Sequence, residues 1–589
     1  MISYRIDATD VHAHLFRVTL TVPRPAAEQH LSLPVWIPGS YLVREFARHL
    51  SNLEATQGER EVGLQQLDKA TWLARCSGSA ALRVSYLVYA FDTSVRAAFL
   101  DPRRGFFNGT GVCLRVHGRE AEAHTLALER LPSGWEVATA MPGAGRRHAY
   151  RAAGYDALVD HPFELGRFWR GRFDAGGVAH EFVVAGALPN FDGARLLADV
   201  QRICTTEVAF WHGPGANPSD LPFDHYVFML NAVEDGHGGL EHRASTALIA
   251  ARRDLPRAGV AECSDGYVKV LGLISHEYFH AWNVKRLRPR EFARLDYTRE
   301  NYTELLWFFE GFTSYYDDLL LRRAGLIDEA RYLRLVATTV SGVLAVPGRK
   351  VQSLAQASFD AWVKYYRSDE NTPNATVSYY TLGSLVALAL DLGLRSRSRG
   401  QASLDQVMRN LWAASGGGPI GEEDIVAAIK AVAGPRRGGA LADELIGWVH
   451  GTGDLPLAEL LPRAGVRWQA QPATLAQRWG LRVSESALTG VKVSAVLRGG
   501  AAERAGLAAG DELLAVEGWR VRRLEDAVAL LPAKGPAQLL VSRDQRVLAL
   551  ALAPPSAAQR DDAPGTVHLS ADPRAGSAAR ALRQAWLQA

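Results

Sequence analysis

The tightest constraint on this chain is the hexapeptide Ser275-His276-Glu277-Tyr278-Phe279-His280. It carries the H-E-x-x-H spacing, two histidines four positions apart with a glutamate directly after the first. In a helix of about 3.6 residues per turn, i and i+4 share one face, so both imidazoles can reach a single metal ion. Glu277 can then lean toward a metal-held water. Two neutral nitrogen ligands with a carboxylate base beside an open position is what a zinc hydrolase needs. The flanks agree with a helix: the apolar run from Tyr267 to Ile274 leads in, and Pro289 lies beyond its end.

Catalytic zinc usually takes three protein ligands, so a third donor is required. The segment 304–316 is an apolar helical stretch interrupted by Glu310, which sits among Trp307, Phe308, Phe309 and Phe312. Burying a carboxylate there is costly unless it pairs or binds a metal, which makes Glu310 the candidate. Ser314, one turn later, can orient it.

These residues resemble a known family. His276 to Arg286, followed by Glu310-Gly311-Phe312-Thr313-Ser314-Tyr315-Tyr316, is similar to the glycyl aminopeptidases, gluzincin metallopeptidases related to aminopeptidase N. The resemblance takes in Trp36-Ile37-Pro38-Gly39-Ser40-Tyr41, Phe106-Phe107-Asn108-Gly109-Thr110, Gly238-Gly239-Leu240-Glu241-His242 and Ser378-Tyr379-Tyr380-Thr381-Leu382-Gly383. It implies one Zn²⁺ per chain held by His276, His280 and Glu310, with Glu277 as the base. It also implies that the 238–241 segment is an edge strand beside the metal, with Gly238 and Gly239 lining the cleft and Glu241 holding the substrate's free α-amino group. On residues alone, Glu241 reads as a solvated strand glutamate and His237 and His242 as ordinary histidines. Tyr380 matches the family's oxyanion-stabilising tyrosine, although Leu382 replaces the lysine of Y-x-K-G. A phenol near the metal can donate to such an oxyanion, whereas the residues alone equally allow an aromatic filler, and Tyr379 has no assigned role.

The order of the chain supports a multidomain α+β architecture. With 589 residues there is room for three or four cores. Residues 1–165 alternate like strands broken by Pro and Gly and read as an N-terminal β-sandwich, in which Asn108-Gly109-Thr110 is a turn. The glycyl aminopeptidase resemblance makes 166–465 a thermolysin-like α/β catalytic domain with a helical part. Within it, 223–231 reads as a buried strand and 378–394 as an apolar helix. Residues 478–555 carry Ala502-Glu503-Arg504-Ala505-Gly506-Leu507 and Gly510-Asp511-Glu512-Leu513-Leu514, resembling bacterial PDZ domains, which accept peptide C-termini by strand addition. Residues 556–589 read as a tail with one short helix.

Composition narrows the partners. A net charge of +3 argues for neither nucleic acid nor an anionic membrane. The four cysteines form no C-x-x-C pair, and the N-terminus alternates like a strand without a basic, apolar leader. No run of 18 apolar residues occurs, the richest being broken by Asp391 and Gly393. The expectation is a cytoplasmic zinc aminopeptidase acting on peptides with a free N-terminus, with small first residues such as Gly or Ala implied by the resemblance. Two rivals are a zinc endopeptidase with the same catalytic set, and a PDZ-based peptide-binding scaffold carrying an inactive peptidase body.

Overall fold

The computed structural model describes residues 1–554 and 565–588. Residues 556–564 and 589 of the predicted tail lie outside the described residues. The chain divides into two compact units, Met1–Tyr302 with Leu411–Ile420, and Thr303–Asn410 with Gly421–Ala589.

In the first unit the alternation read in the sequence becomes sheet. Leu15–Val22 and Leu82–Tyr89 bury every second residue and pair antiparallel inside a seven-stranded sheet. Two four-stranded sheets join it around a common core that includes Phe16, Tyr86, Phe107 and Phe163. Asn108, expected in a turn, is fully buried and precedes the short helix Gly109–Val112.

The same unit continues as a five-stranded sheet ordered Trp169–Ala175, Val178–Ala185, His225–Val233, Ser245–Ala251, His237–Glu241. The three inner strands run parallel. Parallel neighbours need a crossover, supplied here by the helix Gly193–His212 between Val178–Ala185 and His225–Val233. His225–Val233 is almost continuously buried, as a strand covered on both faces must be. His237–Glu241 is last in the order, antiparallel to Ser245–Ala251, so its outer side is an unpaired edge.

The second unit is largely helical. Its helices Gly311–Arg323 and Thr381–Ser398 meet at glycines: a Cβ on Gly311 would lie 2.5 Å from the Gly383 Cα. Asp391, which breaks the apolar run in sequence, is buried there. It accepts from the Tyr315 hydroxyl at 2.7 Å and from the Arg395 Nε at 2.9 Å. The last residues join this network. Val567–Ala571, unread as a strand, pairs with Val466–Ala470, and Trp586 of the helix Ser577–Gln588 donates to the Tyr315 hydroxyl at 2.9 Å. The PDZ segment has its own core, including Trp479, Val491, Val493 and Val541. Among the described residues, no helix is long and apolar enough to cross a membrane.

Candidate active site

The H-E-x-x-H residues lie on the helix Asp265–Phe279, capped by the Ser264 hydroxyl, which accepts the Tyr267 N–H at 3.1 Å. Tyr267, Leu271, Ile274 and Tyr278 bury the helix face. His180, stacked on Phe173, meets the Tyr278 hydroxyl at 2.9 Å, and burial pushes its imidazole down to about 4. It is therefore a neutral core histidine.

His280 is the C-cap of this helix, and the His276 and His280 rings sit 4.6 Å apart at nearly a right angle. The His280 Nδ1 faces the Asn283 carbonyl at 2.7 Å, which assigns the proton to Nδ1 and makes Nε2 the ring's electron-pair donor. The run after the motif holds this turn in shape. Arg286 donates to the carbonyls of Arg243, Ala281 and Pro222, and the Trp282 Nε1 donates to the His212 Nε2 at 2.8 Å. Burial lowers the Arg286 guanidinium to about 10, so it stays charged at neutral pH.

The edge strand lies directly against these groups. A Cβ on Gly239 would stand 2.2 Å from the Glu277 Oε1, so only glycine admits the carboxylate there. Two residues on, Glu241 is 4% exposed, and a Cβ on Gly39 would meet both of its carboxylate oxygens at 2.5 Å. The Trp36-to-Ser40 loop thus closes over Glu241, with Gly39 at φ +88 where glycine alone is at ease. Among the described residues, no cation pairs with the Glu241 carboxylate, which lines a pocket of about 780 Å³ (open solvent included) shared with Trp36, Gly39, Tyr41 and Val284. His242 turns away to Asp160, with Nδ1 3.5 Å from a carboxylate oxygen. Burial would raise Asp160, but the Lys285 ammonium at 2.7 Å and His242 hold its carboxyl well below the usual range. His237 is exposed at the start of the strand.

In the second unit, Glu310 joins the helices Leu306–Phe309 and Gly311–Arg323 and is 2% exposed, where the sequence suggested one continuous helix. Tyr380 is the N-cap of Thr381–Ser398, three residues before Gly383. The Gly311–Gly383 approach therefore brings Glu310 and Tyr380 into one neighbourhood. Burial, then the Glu310 charge, raise the Tyr380 phenol well above its ordinary value, so it remains a hydrogen-bond donor. Tyr379 and Tyr365 stack on it at 4.8 Å and 5.3 Å, and the Tyr366 hydroxyl lies 3.4 Å from its own.

With this geometry in place, the likenesses are decisive. Residues 3–167 match the peptidase M61 N-terminal domain, 269–386 the M61 glycyl aminopeptidase, and 492–542 a PDZ domain. The crystal structure of an aminopeptidase N family protein from Idiomarina loihiensis is 36% identical, with a TM-score of 0.90 over 100% of both chains. The chain belongs to the M61 glycyl aminopeptidase family. A remoter likeness, to an M1 zinc metallopeptidase from Deinococcus radiodurans, is 15% identical with a TM-score of 0.44 over 77% of this chain and 94% of that one. No protein of curated function matches. As a member of the M61 family the protein is a zinc metallopeptidase with a PDZ domain. Its architecture is the expected β-rich N-terminal domain, α/β and helical catalytic region and C-terminal PDZ.

Three residues around the candidate site carry little signal in the sequence. Gly39 stands out only as part of the Trp36-to-Tyr41 motif, nothing marks Asp160, and nothing in Thr93-Ser94-Val95-Arg96 marks Arg96 as reaching the edge strand. The only available signal was the glycine of Pro38-Gly39, a turn residue whose contact partner lies some two hundred positions away.

Proposed function

We propose that this protein is a zinc aminopeptidase that removes small N-terminal residues, glycine or alanine, from peptides. The observation that carries the reading is Glu241: a buried carboxylate, without a cation among the described residues, open to a pocket at one end of an unpaired edge strand. Leaving such a charge unpaired is unfavourable, and an α-ammonium is the cation an exopeptidase substrate brings.

His276, His280 and Glu310 are proposed as the metal ligands. Within its own unit each is disposed for the role: the His276 and His280 rings stand 4.6 Å apart on one helix turn, and Glu310 is a buried carboxylate at the join of two helices. Two imidazoles and a carboxylate are a donor set suited to Zn²⁺ with a place left open. Bound there, zinc would supply Lewis acidity toward a water and the scissile carbonyl. Glu277 takes the proton of the attacking water on its carboxylate and passes it to the leaving amine. Its position over Gly239 fits that role, since substrate main chain paired to the edge strand would run past it. Gly238 and Gly239 leave the strand without side chains in the cleft. The Tyr380 phenol donates to the carbonyl oxygen as charge builds on it. Preference for glycine or alanine follows from the glycyl aminopeptidase family.

The PDZ segment is proposed to accept peptide C-termini at its strand Leu481–Ser486, preceded by Gly480 at φ +75. Cys76, Cys113 and Cys204 are in no disulfide among the described residues, which fits a reducing compartment, and we propose the cytoplasm.

The test is hydrolysis of Gly- and Ala-p-nitroanilide beside their N-acetylated forms, with bound zinc quantified. Only free-amine substrates should be cleaved, with activity lost on chelation, restored by Zn²⁺, and absent in Glu277→Gln. Equal cleavage of acetylated substrates would remove Glu241 from its role and make the enzyme an endopeptidase.

A further inference from the structure

Three charged groups meet the edge strand. Glu241 stands at one end, the Glu277 carboxylate lies over Gly239, and at Gly239 and Gly238 stands Arg96 of the N-terminal domain. The Arg96 Nη2 donates to the Gly239 carbonyl at 3.3 Å, and Nη1 lies 3.9 Å from where a Gly238 Cβ would be. Arg96 is half-buried, its Nε is buried without a hydrogen-bond partner, and among the described residues no carboxylate pairs with it. Its backbone is held firmly: the fully buried Asn108 donates from Nδ2 to the carbonyl of Val95 at 2.9 Å and of Ala97 at 3.5 Å. A half-buried guanidinium with spare donors, its backbone fixed on both sides and its one side-chain bond long, is shaped to receive an anion.

We propose that Arg96 receives the C-terminal carboxylate of the substrate, so that Glu241 and Arg96 together select peptides of two or three residues. The inference rests on the aminopeptidase reading, in which the α-ammonium sits at Glu241. Glu241 is then at the amino end and Glu277 at the scissile carbonyl, and Arg96, which reaches past Gly239 to Gly238, is at the carboxyl end. From Glu241 back to Gly239 is two residues and to Gly238 three, about 7 and 10 Å at about 3.4 Å per strand residue. An extended dipeptide or tripeptide spans about the same lengths. Longer peptides would carry uncharged main chain past Arg96 and gain nothing from its charge. The Phe-Phe-Asn-Gly-Thr motif acquires a role here, since its asparagine positions the segment that presents Arg96.

The test compares kcat/KM for Ala-Gly and Ala-Gly-Gly with their C-terminal amides, in wild type and in Arg96→Met and Arg96→Lys. Wild type should prefer the free acids roughly 10- to 100-fold, the range expected of a hydrogen bond to a charged group. Arg96→Met should bring the acid-to-amide ratio to about one, and Arg96→Lys should keep part of it. A wild-type ratio near one overturns the proposal without recourse to any variant, as does a ratio that survives Arg96→Met. If acetylated alanine p-nitroanilide stays uncleaved in that case, the aminopeptidase reading stands and Arg96 alone is wrong. If zinc-loaded protein cleaves no free-amine substrate, both fall together.

Discussion

Replacing Gly239 by alanine tests the placement of the proposed catalytic base, Glu277, without touching the base itself. The new methyl would lie 2.2 Å from the Glu277 Oε1, 2.3 Å from Cδ and 2.6 Å from Cγ. These contacts are far inside van der Waals range, so the carboxylate must move by about 1 Å. Gly239 is not among the glycines with positive φ, so the backbone accepts alanine and the effect falls on Glu277. A misplacement of about 1 Å costs on the order of 100-fold, or about 2.7 kcal/mol of barrier at about 1.36 kcal/mol per decade. The assay is kcat on Ala-p-nitroanilide, with zinc per chain and the thermal melt measured on the same preparation. We expect zinc binding and melting close to wild type, kcat down by about 10²-fold, and Glu277→Gln lower still. A folded, zinc-loaded Gly239→Ala protein with kcat within about threefold of wild type would refute the reasoning, because the proton would not pass through Glu277.

Three other expectations follow from the same structure. Gly39→Ala puts a methyl 2.5 Å from both Glu241 oxygens at a φ unfavourable to alanine, so KM for free-amine substrates should rise at least about tenfold. An unchanged KM would detach Glu241 from amine binding. Asp391→Ala leaves the buried Arg395 Nε and the Tyr315 hydroxyl without their acceptor, while Asp405 still pairs with Arg395 at 3.1 Å, and should cost roughly 2–3 kcal/mol in denaturant unfolding. A loss under about 1 kcal/mol would show that the network contributes little. The His180 imidazole titrates at about 4 when folded against an ordinary 6.5, so the unfolded chain binds its proton first. Its stabilisation is complete above about 6.5 and is lost as pH falls toward 4, amounting to about 3 kcal/mol. His180→Gln should flatten the pH dependence of the urea midpoint in that window, and equal slopes would exclude this origin.

Much of the site was legible because it is local. The two histidines and Glu277 share one turn and Glu310 lies in a dense aromatic run, so periodicity and burial cost suffice to mark them as candidates. The strand expected at 223–231 is His225–Val233, and the helix expected at 378–394 is Thr381–Ser398, shifts of a few residues at element ends where capping decides. Tyr380 consequently stands before its helix instead of within it. What could not be read has a common cause. Val567–Ala571 becomes a strand only through Val466–Ala470, and Asp391 is a core residue only because Arg395 and Tyr315 meet it.

By itself, the sequence determined which chemistry the protein carries: an i, i+4 histidine pair, a neighbouring base, and a carboxylate too costly to bury idle. The tertiary structure alone decided who attends that chemistry. Gly39 meets Glu241, Gly239 meets Glu277 and Arg96 meets Gly239 across gaps of 202, 38 and 143 positions. No helix or strand period connects such residues. They come together because an edge strand leaves one side open and glycines permit close approach, and both depend on how the sheet is ordered.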